Sequence, residues 1–366
     1  MKPTTGIDSP ASTGKPSLNP DTLNQLIGQK VTDLGAAVNG ALVVLGDELG
    51  IYAALAEVGP VTSEQLAKKT KLHERQLREW LSAQAASGYV SYDAANNAFF
   101  LTPEQTAVFA DRNSPAAMTG GFYAISAVYQ DTQLVAESFR TGAGLPWGKH
   151  HNCLFCGTER FFRAGYQANL NHKWIPALEG VQQKLATGTR VADIGCGHGA
   201  ATLMMAQAFP KSQFYGFDLH PASIEAANNH AREHQITNVH FSIASAKDFP
   251  GNDYGFVTVF DALHDMGDPI GAASHVKQSL QSDGTFMVVE PFAGDSLAEN
   301  INPRGRVYYG LSTMICTPGS LSQEVGLALG AQAGERRLKE VLSKGGFSRV
   351  RRAAETPFNM ILEARL

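Results

Sequence analysis

The sequence predicts an α/β protein: a doubly wound, mainly parallel sheet of seven strands, preceded by an all-α winged-helix domain. Three observations lead to this prediction. Strand and helix patterns alternate from Thr189 to the C-terminus, a glycine-rich loop follows the first of those strands, and three short helical patterns precede a polar-tipped hairpin between residues 47 and 100. The length of 366 residues suits two domains.

Composition excludes several function classes. A formal net charge of −4 provides no global basic field for nucleic acid or a membrane surface. The most apolar stretch, residues 35–59, is interrupted by Asp47 and Glu48, so we predict no membrane span. Four cysteines in 366 residues do not form a disulfide framework, and they fit a reducing compartment. We therefore expect a cytoplasmic protein.

The N-terminal part divides into a tail and a helical module. Residues 1–20 are rich in Ser, Thr, Pro and Gly and have no apolar run, which predicts a disordered tail. Residues 21–112 form the predicted winged-helix domain, and its first helix, Asp21 to Leu45, has apolar residues at helical spacing. A helix this apolar needs a partner, either the domain's own core or a second copy. We predict a homodimer through this domain.

A winged helix by itself suggests DNA binding, and here the charges argue against it. Arg75 and Arg78 lie on the helix that would enter the groove, but Glu74 and Glu79 interleave with them. Trp80 belongs to the core of the module. We favour a dimerisation module, and a DNA-binding regulator remains the alternative from another function class.

Residues 113–180 are predicted to be mainly helical and are unusually aromatic. Such a segment between two domains can supply a lid and the walls of a substrate pocket, although plain helix packing explains any single residue equally well. The residues of this segment predicted to contact substrate are Phe122, Tyr123, Trp147 and Tyr166.

Residues 181–366 form the predicted sheet domain. Strands are expected near residues 190–194, 213–218, 238–243, 255–260, 284–290, 346–351 and 357–365. The last strand follows its predecessor after a short turn, so it is predicted to be antiparallel. Ligands of such sheets bind beyond the carboxyl ends of the strands.

The glycine loop lies at the first of these carboxyl ends. Gly195, Gly197 and Ala200 satisfy the dinucleotide pattern G-x-G-x-x-G/A, so a nicotinamide enzyme is one reading. Asp193, two residues before the first glycine, would repel a pyrophosphate and instead suits a ligand with a cationic end, such as the ammonium or sulfonium of S-adenosylmethionine. Asp218, at the end of the next strand, is placed to chelate both ribose hydroxyls of a nucleoside.

This segment resembles motif I of the class I S-adenosylmethionine-dependent methyltransferases. After residue 20 the whole chain resembles the small-molecule O-methyltransferases of plants and bacteria, which implies a Rossmann-like seven-stranded sheet, S-adenosylmethionine as cofactor and a homodimer. Segments 260–265, 312–324 and 356–359 are similar to a bacterial branch, with mycobacterial members, whose substrates are poorly assigned. Met266 replaces the tryptophan of the plant motif, so plant phenolic substrates are not carried over.

Several residues near the strand ends are predicted to hold the cofactor. Ser245 stands where many relatives have an acid for the adenine amine, so the backbone of Ala246 with Lys247 or Asp248 is expected to contact the adenine instead, and Phe249 is expected to stack on it. The full predicted set is Asp193, Gly195, Gly197, Asp218, Leu219, Ala246, Lys247, Phe249, Asp261 and Ala262.

His264 is the predicted catalytic residue. It lies in the segment Asp261 to Asp268, directly after a buried apolar strand, where a neutral imidazole could accept a proton from a hydroxyl or a thiol. In the family that the chain resembles, the histidine of a similar His-Asp-Trp motif is the general base. The alternative is a purely structural role, in which the histidine only caps the next helix. A thiol or sulfide acceptor would depend less on such a base, so both acceptor types remain open.

Cysteines raise the question of a metal. His150, His151, Cys153 and Cys156 are within seven residues, a spacing that can hold zinc, but a single Cys-x-x-Cys without a second pair is weak support, so we predict no metal. Cys316 lies after the fifth strand, where substrate contacts gather. We therefore add Met314 and Cys316 to the predicted substrate-binding residues.

Overall fold

The computed structural model describes residues 17–366. Residues 1–16 of the predicted tail lie outside the described residues, and 17–19 precede the first helix. That helix begins at Pro20 because the side chain of Asn19 accepts hydrogen bonds from the backbone N–H groups of Asp21 and Thr22. Among the helices of this described part, none is both long and apolar enough to cross a membrane.

The N-terminal domain is the predicted winged helix. Thr62 and Gln65 form a capping box that starts its third helix, and the hairpin pairs Ser91 with Phe100. Its elements are α1 (Pro20–Glu48), α2 (Ile51–Val58), α3 (Ser63–Thr70), α4 (Glu74–Ala86), β1 (Ser91–Asp93) and β2 (Ala98–Phe100).

The first two-thirds of α1 stands apart from the core of this domain. Val43 near its C-terminal end is fully buried, whereas a row of apolar side chains nearer the N-terminus faces solvent in the single chain. The exposed members of this row are Leu23, Leu26, Ile27, Val31, Leu34 and Val38.

Helices also fill the chain between the winged helix and the sheet domain. In this segment α8 packs closely on α6, where Gly120 and Gly157 let the two backbones approach. The helices are α5 (Pro103–Gln105), α6 (Thr119–Gln130), α7 (Thr132–Thr141), α8 (Cys153–Asn169) and α9 (Val181–Thr187). Shorter turns lie between them at Thr106–Ala110, Trp147–Lys149, Leu170–Trp174 and Ile175–Ala177.

The C-terminal domain contains the predicted seven-stranded sheet, in the order β5-β4-β3-β6-β7-β9-β8. The strands are β3 (Arg190–Ile194), β4 (Gln213–Asp218), β5 (Val239–Ile243), β6 (Tyr254–Phe260), β7 (Leu280–Pro291), β8 (Arg349–Glu355) and β9 (Asn359–Arg365). β9 is antiparallel to both of its neighbours, which confirms the prediction for the last strand.

Helices cover both faces of this sheet, so the central strands are buried throughout. Every residue of β6 is buried, as expected for a strand with helices above and below it. The helices are α10 (Ala200–Ala208), α11 (Pro221–Glu233), α12 (Pro269–Ser279), α13 (Leu297–Asn300), α14 (Pro303–Leu311), α15 (Thr317–Leu321) and α16 (Gly334–Lys344). One short turn, Leu263–Asp265, follows the carboxyl end of β6. Another, Ser312–Cys316, lies between α14 and α15.

Candidate active site

A cavity of about 1510 Å³ lies between the carboxyl ends of β3, β4 and β6 and the helices α6, α8 and α14. Pockets for one small ligand typically measure roughly 300–1000 Å³. The cavity therefore has room for a nucleoside-sized cofactor and a second molecule beside it.

The glycine loop forms the floor of the cavity. Gly195, Gly197 and Gly199 have φ values of 69°, 53° and 80°, a region that favours glycine. A Cβ on Gly195 would come 2.9 Å from the Cβ of Ala262, and one on Gly199 would come 2.6 Å from the Phe241 ring. The loop thus packs tightly against the turn after β6, while its other side faces the cavity.

Asp193 is buried below this loop. Thr202 at the start of α10 donates a hydrogen bond to its Oδ2 at 2.5 Å, and Thr258 of β6 donates to its Oδ1 at 2.9 Å. Burial raises the pKa of this carboxyl to about 7. Asp193 therefore ties β3, β6 and α10 together, and its role toward a cationic ligand stays a prediction.

Asp218 lies at the rim of the glycine loop. Its carboxylate accepts hydrogen bonds from the backbone N–H of Gly197 at 2.9 Å and of His220 at 2.8 Å. Burial raises the pKa of Asp218, and these two donors act in the opposite direction. The predicted cofactor residues that line the cavity are Asp193, Gly195, Gly197, Asp218, Leu219, Ala246, Lys247, Asp261 and Ala262.

Phe249 is the exception, and its assignment to the adenine was wrong. Its side chain is 1% exposed and stacks on Phe217 with ring centroids 5.2 Å apart. The ring of His275 meets it edge-on at 4.5 Å. The chain turns inward after Lys247, so the next apolar residue fills the core beneath the strands and does not line the cavity.

Asp261 is held by two side chains that the chain brings from far away. Tyr166 of α8 donates to its Oδ2 at 3.0 Å, and the amide of Asn359 donates to its Oδ1 at 2.7 Å. Asp261 has a φ of 49°, and burial raises its pKa to about 8. Tyr166 lines the cavity as predicted, but its hydroxyl is engaged by Asp261.

His264 lies in the cavity wall, 3% exposed. Its Nδ1 is 2.6 Å from Oε2 of Glu290, whose other oxygen accepts the backbone N–H of Leu263 at 2.9 Å. Its Nε2 is 3.2 Å from Oδ1 of Asp265. Burial by itself lowers the pKa of His264, but the carboxylates of Asp265 and Glu290 outweigh it and hold the pKa well above its ordinary value.

The alternative role of His264 as a helix cap is wrong. Asp268 caps α12, since its side chain accepts the N–H of Gly271 at 2.8 Å. The sequence interpretation missed Glu290 and Asp265 as partners of the imidazole. Glu290 could have been found by one signal, an acid close to the end of an otherwise apolar strand.

The other half of the cavity is apolar and aromatic. Phe122, Trp147 and Cys316 of the predicted substrate residues line it. Further lining residues that the sequence interpretation did not select include Ile125, Phe155, Phe161, Phe162, Val307, Leu311, Ile315 and Phe358.

Two predicted substrate residues do not face the cavity. The hydroxyl of Tyr123 donates to Oδ2 of Asp47 at 3.0 Å, and the guanidinium of Arg160 lies 4.7 Å from the centre of its ring. Tyr123 therefore belongs to the junction of the two domains. Met314 packs against the buried cluster that contains Leu154, Ile315 and Cys316, and it does not line the cavity.

The segment around Cys153 does not assemble a metal site. Within residues 17–366, its histidines and cysteines form no group of three converging ligands. His150 is buried with its Nδ1 2.8 Å from Oδ2 of Asp131, whereas Cys156 is exposed.

Comparison with family models agrees with this architecture. Residues 185–346 match a methyltransferase domain, and residues 37–111 match an Rv2258c-like winged HTH domain. The chain therefore carries a methyltransferase domain in residues 185–346. The resemblance inferred from motif I and from the winged helix is thereby confirmed, and S-adenosylmethionine is the cofactor of this domain class.

Individual relatives of the methyltransferase domain are distant. A malonyl-[acyl-carrier protein] O-methyltransferase of Paenibacillus sp. is 25% identical over 169 residues, which cover 45% of this chain and 57% of that protein. The chain spans about half the length of the curated relatives it matches.

Solved structures share the fold over nearly the whole chain. A protein of Nostoc punctiforme, described as a candidate O-methyltransferase, has a TM-score of 0.71 at 19% identity and covers 92% of this chain and 98% of its own. Human N-acetylserotonin methyltransferase, solved in complex with S-adenosylmethionine, has a TM-score of 0.69 at 14% identity, with 98% and 99% covered. At these identities the likeness shows that this chain shares their fold.

Proposed function

We propose that this protein transfers a methyl group from S-adenosylmethionine to a hydroxyl of a small, largely apolar acceptor, with His264 as the general base. The observation that carries the proposal is the pair of His264 and Glu290, with Nδ1 and Oε2 2.6 Å apart, in the wall of a cavity whose floor is the glycine loop. A carboxylate behind an imidazole fixes the tautomer and strengthens the base.

The residues on the loop side of the cavity fit the cofactor. Asp218 offers carboxylate oxygens to the ribose hydroxyls, and Gly197, without a side chain, leaves room for close approach. Leu219 is 60% exposed and supplies an apolar surface for the adenine ring, the role that the sequence predicted for Phe249. Ala246 and Lys247 border the adenine end, and Asp193 supplies negative charge toward the cationic end.

The aromatic half of the cavity fits the acceptor. Phe122, Trp147 and Phe162 present ring surfaces, while His264 and Asp265 are polar groups at the inner end. A few polar groups at the end of an apolar pocket orient a ligand that has one reactive hydroxyl on an apolar body. The helical segment 113–180 supplies these three rings, so we expect this segment to shape acceptor specificity.

S-adenosylmethionine supplies an electrophilic methyl group and a neutral thioether leaving group when bound. The chain itself must align the acceptor oxygen and remove its proton. The acceptor hydroxyl donates to Nε2 of the neutral imidazole of His264, which is 3.2 Å from Oδ1 of Asp265 but makes no hydrogen bond with it. The proton then passes to Nε2 as the oxygen–carbon bond forms, and the imidazolium is stabilised by Glu290 at Nδ1.

A thiol acceptor is the second candidate. It ionises near neutral pH without help, so it would use the same cavity and depend less on His264. Cys316 in the cavity wall is compatible with either acceptor. A DNA-binding regulator that senses the cofactor remains the alternative from another class, and the interleaved charges of α4, where Arg75 pairs with Glu79 at 2.5 Å, argue against it.

We also infer a homodimer formed through α1. Its exposed apolar row would be shielded from water by a second copy. The row lies on the N-terminal domain, away from the glycine loop.

The test combines binding and turnover. Calorimetry should show that S-adenosylhomocysteine binds the full chain, and a methyl-transfer assay with mixed phenols and thiols should give a methylated phenol. Binding of NADH at micromolar concentration, with no binding of S-adenosylhomocysteine, would overturn the proposal. Specific retardation of genomic DNA without any methyl transfer would favour the regulator.

A further inference from the structure

Three side chains of different chemistry meet in the wall of the cavity. One ligand atom each from His264, Asp265 and Cys316 lies within 4.8 Å of the other two. Among the described residues, no other group of three or more potential metal ligands lies so close together. His264 and Asp265 belong to the turn after β6, and Cys316 lies about fifty residues later, so only the fold makes this group.

The surroundings of His264 and Asp265 leave one donor atom of each side chain available to a ligand. Glu290 engages Nδ1 of His264 at 2.6 Å, so Nε2 is the nitrogen available to a ligand. A carboxylate behind the imidazole is the usual outer partner of a metal-bound histidine. Oδ1 of Asp265 is buried and has no hydrogen-bond partner, although Nε2 of His264 lies 3.2 Å away. An unsatisfied buried carboxylate oxygen beside an imidazole and a thiol is an arrangement that a cation would complete.

We propose that His264, Asp265 and Cys316 bind a thiophilic divalent cation, Zn²⁺ by preference, with a fourth coordination position open to the cavity. Nitrogen, oxygen and sulfur donors together favour Zn²⁺ over Mg²⁺ or Ca²⁺, which prefer oxygen ligands only. Three protein ligands with one open position is the pattern of zinc sites that exchange a ligand. Binding displaces the proton of the Cys316 thiol, and any proton on Nε2, to solvent.

One consequence rests on the proposed function. A cation on Nε2 of His264 uses the lone pair that would accept the proton of the acceptor. The metal-bound protein would therefore be inactive toward hydroxyl acceptors, and the site would act as an inhibitory metal sensor within the acceptor half of the cavity.

The experiment uses the full chain, with any affinity tag removed, after dialysis against a chelator and without cofactor or acceptor. Co²⁺ is the probe, because a thiolate ligand gives it a charge-transfer band in the near ultraviolet. The wild type should bind one Co²⁺ with this band, and one equivalent of Zn²⁺ should abolish it. Cys316→Ser should lose the band, and Glu290→Gln should weaken Co²⁺ binding about 10- to 100-fold.

Cys153→Ser and Cys156→Ser are the matched controls, since both remove a free cysteine outside the proposed site. Both variants should keep the band. A folded wild type without the band, or a band that survives in Cys316→Ser or disappears in Cys153→Ser, overturns the inference; circular dichroism and melting temperature verify the fold. Binding of S-adenosylhomocysteine without Co²⁺ binding defeats only this inference, and the reverse result defeats only the proposed function.

Discussion

The carboxylate of Glu290 contacts Nδ1 of His264, with 2.6 Å between the two atoms, and both side chains are almost entirely buried. The contact joins the end of β7 to the turn after β6, directly beside the cavity. Because Glu290 engages Nδ1, Nε2 is the nitrogen of His264 that remains available to a ligand.

Replacing His264 tests the base. If the acceptor is a hydroxyl, His264→Ala should lower kcat by about 10²- to 10⁴-fold, the usual contribution of a general base. Affinity for S-adenosylhomocysteine, measured by calorimetry, should change little. If the acceptor is a thiol, the loss should be smaller, and a higher pH should restore much of the rate because the thiol ionises directly. Full activity of the variant at every pH would show that the base lies elsewhere.

Glu290→Gln tests the positioning of that base. The substitution removes a charge-assisted hydrogen bond, which is worth roughly 1.5–3 kcal/mol, so kcat should fall about 10- to 100-fold while KM for the cofactor stays near the wild-type value. Glu340→Gln, at an exposed carboxylate of α16, is the control and should leave kcat unchanged. Equal rates for Glu290→Gln and Glu340→Gln would mean that Glu290 has only a structural role.

Asp218 should dominate cofactor affinity. Paired charge-assisted hydrogen bonds to a ribose are worth about 3 kcal/mol, so Asp218→Ala should weaken S-adenosylhomocysteine binding about 100-fold or more. Glu233→Ala, an exposed carboxylate of the α11 helix that follows β4, serves as the control for loss of negative charge nearby. Unchanged affinity of Asp218→Ala in calorimetry removes Asp218 from the site.

Asp193 should make stability depend on pH. Burial raises its pKa from 3.8 to about 7 in the folded chain, with Asp218 adding to the shift and the hydroxyls of Thr202 and Thr258 opposing it. Between about pH 4 and 7 the unfolded chain loses this proton while the folded chain retains it, so the contribution of Asp193 to the free energy of unfolding falls as pH rises through that window.

Asp193→Asn should remove this part of the profile. Denaturant unfolding of both proteins at several pH values is the measurement, and the variant should gain stability relative to the wild type as pH increases from 4 to 7. A stability difference that is constant across this window contradicts the prediction.

The exposed row on α1 should hold two chains together. Sedimentation of the full chain at micromolar concentration should give about twice 39.2 kDa. Val31→Asp with Leu34→Asp would place charges in the middle of the row and should yield a monomer. Lys30→Asp, on the same helix, is the control for added negative charge. A monomeric wild type contradicts the proposed dimer.

The sequence by itself determined the order and type of the elements. The alternating strand and helix patterns predicted the seven strands, and the glycines after β3 predicted the floor of the cavity. Both signals are local, because they depend on residues that are neighbours in the sequence. The placement of Asp218, Leu219 and His264 at strand ends followed from the topology that the alternation implies. Capping at Asn19 was equally local, since a side-chain oxygen satisfies the first N–H groups of its own helix.

Only the tertiary structure decided which way individual side chains face. Phe249 and Met314 are close in sequence to residues that line the cavity, yet Phe249 is buried in the core and Met314 packs against the cluster around Leu154, because neighbouring residues of a turn point in different directions. Tyr123 lies at the domain junction, where its hydroxyl donates a hydrogen bond to Asp47, 76 residues away along the chain. The partnerships of His264 with Glu290, of Asp261 with Asn359, and of His264 and Asp265 with Cys316 depend on crossovers between strands, and no local pattern records which distant residues a crossover brings together.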